Sequence, residues 1–274
     1  MNTIYMADLD GTLVDESEEL SHYTKTTINA LVERALPFTI NTSRTPESVM
    51  PVIEHLNLKL PLILMNGSLF YDTNKKEILY SVSLENNACR RVVETSLSVG
   101  VSPFVFEFDG KDVSVLYKSS DSPQEKEFCK TRQSYYKNFT KVSFYTYHFV
   151  PYIICVGTKQ KMTELKLKTD QIPNISSSLF ISDDDYCFLE IYSGSAGKWN
   201  GAKKFMERYG FQKIVAFGDN LNDTDMIKNA DIGVAVLDGK EELKRVADTV
   251  IGKVSDDAVA NYLLIEWSRN PDMY

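Results

Sequence analysis

Two aspartates stand two residues apart where an apolar run ends, in Asp8-Leu9-Asp10-Gly11-Thr12. On a strand, positions two apart share a side, so both carboxylates can address one reacting group. A second pair, Asp219 and Asp223, follows another apolar run with a spacing of four, which at a helix start faces one way. Thr42 lies just after a third such run, and Lys198 just before a helical stripe. Four carboxylates brought together repel, and a divalent cation is the expected remedy. All-oxygen ligands suit magnesium. A hydroxyl, an ammonium and backbone amides around that cation suit a phosphoryl group.

Other motif readings account for these residues less well. Asp10-Gly11 is a strong turn dipeptide, but a hairpin needs a second strand, and residues 15–19 are DESEE. If Gly11 were the glycine of a calcium loop, Met6 would be the first ligand and Ser17 the last. Gly197-Lys198 is no P-loop, because Tyr192 stands where its first glycine belongs and Trp199 where Ser or Thr belongs. Ser195 lacks the spacing of a nucleophile elbow. Asp219 and Asp223 alone fit a solvated helix cap equally well.

The elements that must position these residues alternate. Residues 3–9 form an apolar run of strand length, 26–36 carry apolar residues at helical spacing, and 36–40 form a second apolar run ending in Asn41-Thr42-Ser43-Arg44. Thr45-Pro46 reads as a cap followed by proline at the first helical position. Residues 60–65 are a third strand, ending in Asn66-Gly67. The strands are continuously apolar, as when both faces are covered. A doubly wound parallel sheet follows, in which ligands bind beyond the carboxyl ends of strands.

The pattern then changes. Residues 104–108 and 113–117 read as a hairpin around Asp109-Gly110, 123–139 as a helix, 152–157 as a strand and 159–169 as a helix. Residues 179–182 and 187–191 read as paired strands around the solvated turn Asp183-Asp184-Asp185. Tyr135, Tyr136, Tyr145, Tyr147 and Tyr152 read mainly as core of this segment, with one or two left to meet substrate. Alternation returns with a helical stripe ending at Gly210, strands at 213–217 and 232–236, and helices at 241–247 and 258–267. The expected architecture is α/β: a discontinuous core of residues 1–83 and 188–274, interrupted by an α+β insert at 84–187.

Composition narrows the function classes. With 274 residues, 43% hydrophobic and 25% charged, the chain has the balance of a folded globular protein of one or two domains. The 38 acidic residues outnumber the 30 basic ones, a net charge of −8 that argues against nucleic-acid and membrane partners. His22, His55 and His148 are scattered, which disfavours a histidine zinc site. The four cysteines form no CxxC and read as free thiols. Acids by residue 8 do not fit a signal peptide, and no apolar run approaches the ~18–20 residues of a membrane helix, so a cytoplasmic protein is expected.

Together the motifs resemble those of haloacid dehalogenase (HAD) superfamily phosphatases, most closely the Cof-type branch, class II with a type B cap. Asp8-Leu9-Asp10-Gly11-Thr12 matches the first motif, and Gly218-Asp219-Asn220-Leu221-Asn222-Asp223 matches the fourth completely. Thr42-Ser43-Arg44 matches Thr-Gly-Arg with serine in the glycine place, Lys198 matches the third motif, and Asn66-Gly67 matches the branch's Asn-Gly. The resemblance implies a HAD-like Rossmannoid core with an inserted cap domain. It implies that Asp8 is the nucleophile, forming an aspartyl-phosphate, and that Asp10 is the general acid and base. It implies a Mg2+ site at Asp8, Asp10 (through its backbone carbonyl), Asp219 and Asp223, the last also orienting Lys198.

Phosphate would be bound by Leu9 through its amide, Thr42, Ser43, Lys198 and Asn222. Arg44, Asn66 and Gly67 are candidate substrate contacts, although Arg44 could equally brace its own loop. The implied activity is magnesium-dependent hydrolysis of small phosphorylated metabolites such as sugar phosphates. A phosphomutase-type phosphotransferase is the alternative within the family. A receiver-like signalling domain is the alternative outside it, but that would put its phosphorylated aspartate after the third strand, where this chain has Asn66.

Overall fold

The computed structural model describes residues 2–109, 112–181 and 185–269. The chain divides into two compact units, residues 1–79 with 198–274, and residues 80–197.

The first unit begins with β1 (Thr3–Ala7), α1 (His22–Glu33), β2 (Phe38–Ile40), α2 (Pro46–Ile53) and β3 (Leu62–Leu64). β4 (Leu69–Asp72) and β5 (Glu77–Ser81) follow, and β5 carries the chain into the second unit. There lie α3 (Asn86–Ser98), β6 (Phe104–Phe108), β7 (Val113–Tyr117), α4 (Pro123–Arg132), β8 (Asn138–Lys141), β9 (Tyr152–Gly157), α5 (Lys159–Thr169), β10 (Ile175–Phe180) and β11 (Cys187–Ser193). The first unit resumes with α6 (Lys198–Tyr209), β12 (Lys213–Gly218), α7 (Thr224–Asn229), β13 (Ile232–Val236), α8 (Glu241–Lys244), β14 (Thr249–Ile251) and α9 (Ala258–Arg269).

In the first unit a five-stranded sheet runs β14-β13-β12-β1-β2, every pair parallel. All five residues of β1 are buried, as expected of a central strand covered on both faces. β1 lies between β12 and β2, so the chain winds away from it on either side and opens a crevice beyond its carboxyl end. β3 does not join this sheet as a full neighbour. It pairs antiparallel with β4 in a sheet of order β3-β4-β5, and meets the end of β2 only through a parallel bridge between Asn41 and Ile63.

The second unit is a six-stranded sheet of order β10-β11-β9-β6-β7-β8. Ala88, Cys89, Val92 and Val93 of α3 and Met162 and Leu165 of α5 pack with Val105, Ile153, Cys155, Leu189 and Ile191 into one core. Phe104, Phe106 and Tyr152 alternate with those strand residues and join an aromatic cluster with Phe128 of α4 and Tyr136. Tyr136, Tyr145 and Tyr152 are buried, in keeping with a structural role.

Several expectations are corrected. The insert ends ten residues later than expected, because β11 pairs with both β9 and β10 and belongs wholly to the second sheet. The 123–139 helix stops at Arg132, and residues 138–141 instead form β8, an edge strand parallel to β7. α3, β4, β5 and β14 add elements that the motif pattern leaves unassigned. Gly110 of the hairpin turn and Asp183 and Asp184 of the acidic turn lie outside the described residues. Asp185 accepts a hydrogen bond from the Lys159 amide at 2.6 Å. Among the described residues, no helix is long and apolar enough to cross a membrane.

Candidate active site

The site is assembled by the ends of β1, β2 and β12 and the start of α6. The Asp8 amide donates to the Phe217 carbonyl at 2.9 Å, so the last backbone bond between β1 and β12 fixes the aspartate at the strand ends. The chain then turns sharply: the Leu9 carbonyl accepts from the amides of Thr12, Leu13 and Val14. Gly11 makes this possible. Its φ is +79°, and a Cβ there would lie 2.3 Å from Asp219 Oδ2. Close approach also explains Gly218, where a Cβ would lie 2.6 Å from Asp223 Cβ.

Lys198, the first residue of α6, buries its ammonium between two carboxylates, 2.7 Å from Asp8 Oδ1 and 2.5 Å from Asp223 Oδ1. The other Asp223 oxygen accepts from the amides of Asp219 and Asn220, both at 3.1 Å. Asp223 therefore anchors its own loop and the lysine together. Asp219 accepts from Thr12 Oγ1 at 3.0 Å. Asp8, Asp219 and Asp223 each bring a carboxylate oxygen within 4.8 Å of the others.

The electrostatics are unbalanced. Three carboxylates share one ammonium, so full ionisation would leave two negative charges in a buried place. Burial raises Asp8 well above the ordinary aspartate value, and Asp223 raises it further against the opposing pull of Lys198. Asp219 is pushed up to about 7, chiefly by burial and then by Asp223. Burial alone would lower Lys198, but Asp223 and Asp8 raise it, so the ammonium stays charged. The residual charge and the all-oxygen donor set fit a hard divalent cation. The Asp10 carboxylate lies outside this group of three, directed to Arg44.

The loop after β2 is held from below. The Thr42 amide donates to Ile63 O at 2.9 Å, and the amides of Met65 and Asn66 donate to Arg44 O and Thr42 O. Ser43 has no positive φ, so serine fits the family's glycine position without left-handed strain. Asn66 and Gly67, expected near substrate, are buried, and they sit with Met65 in a run of three left-handed residues. A Cβ on Gly201 of α6 would lie 2.7 Å from Gly67 Cα, so the helix rests directly on this turn. Asn222 Nδ2 donates to Asn66 Oδ1 at 3.4 Å, while Asn222 Oδ1 is buried without a partner.

Two contributing residues carry no role in the motif reading. Thr12 orients Asp219, and the only sequence signal for it is its place in the first motif. Asn41, fully buried, donates from Nδ2 to the Lys198 carbonyl at 2.9 Å and so fixes the start of α6 against β2. Nothing in its sequence neighbourhood points to a partner 157 positions away.

With fold and site in view, the comparisons agree. A family model described as haloacid dehalogenase-like hydrolase matches residues 5–263, and the chain belongs to that family. It is similar to a putative phosphatase of Haemophilus influenzae, 25% identical with 93% of this chain and 94% of the relative covered. It is likewise similar to an HMP-PP phosphatase of Klebsiella pneumoniae, 26% identical with 97% and 96% covered. Among solved structures, a HAD subclass IIB sugar phosphatase superposes with a TM-score of 0.76 at 20% identity, covering 97% of this chain and 99% of that one.

Proposed function

We propose that this HAD-type phosphatase hydrolyses small phosphorylated metabolites, sugar phosphates foremost, in a magnesium-dependent reaction through an aspartyl-phosphate on Asp8. The observation that carries this reading is the Asp8 carboxylate itself. It sits at the carboxyl end of the central strand, paired with the Lys198 ammonium and gathered with Asp219 and Asp223. The HMP-PP phosphatase and sugar phosphatase names among similar proteins support a small phosphorylated substrate.

In this reading an Asp8 oxygen attacks phosphorus as the bond from phosphorus to the leaving oxygen breaks. Asp10 gives its proton to that oxygen, and the alcohol departs. Asp10, now a carboxylate, takes a proton from water. The water oxygen bonds to phosphorus, the bond to Asp8 breaks, and inorganic phosphate leaves. Lys198 and the amides and hydroxyl of the Thr42–Ser43 loop hold the phosphate oxygens, with Leu9 and Asn222 completing the cradle. Asp8, the Asp10 carbonyl and Asp219 would hold Mg2+, supported by Asp223; when bound it offsets the charge of the carboxylates and of the phosphate.

The test is phosphate release from p-nitrophenyl phosphate and a panel of sugar phosphates. Wild-type protein releases phosphate, EDTA stops it and magnesium restores it. The Asp8→Asn variant folds but has no turnover. Normal turnover by that variant refutes the mechanism, and activity indifferent to chelation refutes the metal assignment.

A further inference from the structure

Arg44 is engaged on every nitrogen. Nε lies 3.2 and 2.9 Å from the two Asp10 oxygens, and Nη2 lies 2.6 Å from Asp10 Oδ1. Nη2 also faces Glu18 Oε2 at 3.2 Å, while Nη1 donates to the Ser48 carbonyl at 3.0 Å. Ser48 belongs to the capping box that fixes the start of α2, its side chain and that of Thr45 each serving the other's backbone. The guanidinium is thus tied to a helix end on one side and to Asp10 on the other. Its side chain is 10% exposed, whereas Asp10 is 46% exposed and has only a loop to steady it.

These contacts take four of the guanidinium's five N–H donors, and its forked Nε–Nη2 edge is spent on Asp10. A planar fork does have the geometry to fix a carboxylate in one orientation. We propose that Arg44 is a positioning residue that sets the orientation of the Asp10 carboxylate, with Glu18 as a second partner of Nη2 and the Ser48 carbonyl as the anchor of Nη1. This rests on the phosphatase reading, in which Asp10, its Oδ1 kept on Arg44 Nη2, carries a proton on Oδ2 and delivers it to the leaving oxygen. Arg44→Lys keeps the charge and loses the fork, so the proton donor loses its aim while phosphate binding stays.

The experiment compares kcat/KM for a primary alkyl phosphate and for p-nitrophenyl phosphate, whose leaving group departs without a proton. General acid catalysis is worth about 10²–10⁴-fold, so Arg44→Lys should cost about tenfold more on the alkyl ester than on the aryl ester. Glu18→Gln should show the same bias at about twofold, as expected of an exposed partner. In an Asp10→Asn background, neither change should alter the ratio further. Equal losses on both esters, or a rise in KM alone, overturn the proposal in favour of a structural or a substrate-contact role. If wild-type protein cleaves neither ester, the phosphatase reading fails and crystal structures decide the clamp. An Asp10 carboxylate that turns away in Arg44→Ala supports it, and one that stays in place overturns it.

Discussion

Two clusters of charge begin two residues apart in the sequence and obey different physics. At Asp8 the partners are Lys198, Asp219 and Asp223, nearly all withdrawn from water. At Asp10 the partners are Arg44 and Glu18, and both carboxylates are about half exposed. In the first cluster the charges are poorly screened, so an unmatched carboxylate is costly, and protonation or a bound cation would relieve it. In the second, the guanidinium is withdrawn but water reaches both carboxylates, so the ion pairs add little to stability and serve mainly to orient a side chain. One strand end thus carries a group held by electrostatic necessity beside a group held by geometry.

The sharpest way to break this contrast is to remove the buried ammonium. Lys198→Met leaves Asp8 and Asp223 facing each other without compensation, and losing one partner of a buried ion pair costs about 3–5 kcal/mol. Urea unfolding of the metal-free variant should show a loss of that size, together with loss of turnover. A loss below about 1 kcal/mol would mean that the cluster is solvated after all.

The contrast is sharpened by pH. Asp219 sits at about 7, raised by burial and by Asp223, and Asp8 is raised in the same direction. A carboxylate raised on folding favours the folded state when protonated. Its contribution is complete below the unfolded value of about 4 and is lost as pH rises through about 7. Metal-free protein should therefore lose stability over that window. The gain in Tm on adding magnesium should be larger at pH 8 than at pH 5. A magnesium effect that shrinks as pH rises would contradict the buried-charge account.

The smallest effect belongs to the exposed cluster. Glu18→Gln should change unfolding free energy by less than about 1 kcal/mol, and added salt should reduce the difference further. A loss of several kcal/mol would show that the Arg44 network supports the fold.

The same contrast explains what could be read in the sequence. Buried chemistry leaves local marks: uninterrupted apolar strands ending abruptly in acids, and glycines such as Gly11 and Gly218 where side chains pack on the backbone. The parallel sheet and the Asp8 cluster were legible on those grounds. What depends on partners far away in sequence was not. Arg44 reaches back 34 positions to Asp10, a pairing that no local pattern distinguishes from bracing of its own loop or from substrate contact. Asn41 reaches Lys198 without any local signature. In the second unit, β8 has a single apolar residue, Phe139, in a mostly exposed edge strand, so its lysine-rich surroundings resemble a helix surface. α3 buries Ala88, Cys89, Val92, Val93 and Ser96 at regular helical spacing in an otherwise polar segment, a stripe of small and branched residues that carries none of the chemistry-bearing motifs.

The central claim is that Asp8 carries the phosphoryl group, and acid quench of the enzyme during turnover, followed by peptide mass spectrometry, tests it most directly. The account predicts phosphate on Asp8 in the wild-type protein and none on the same peptide of Asp8→Asn. Phosphate on another residue, or turnover by Asp8→Asn at the wild-type rate, would contradict it.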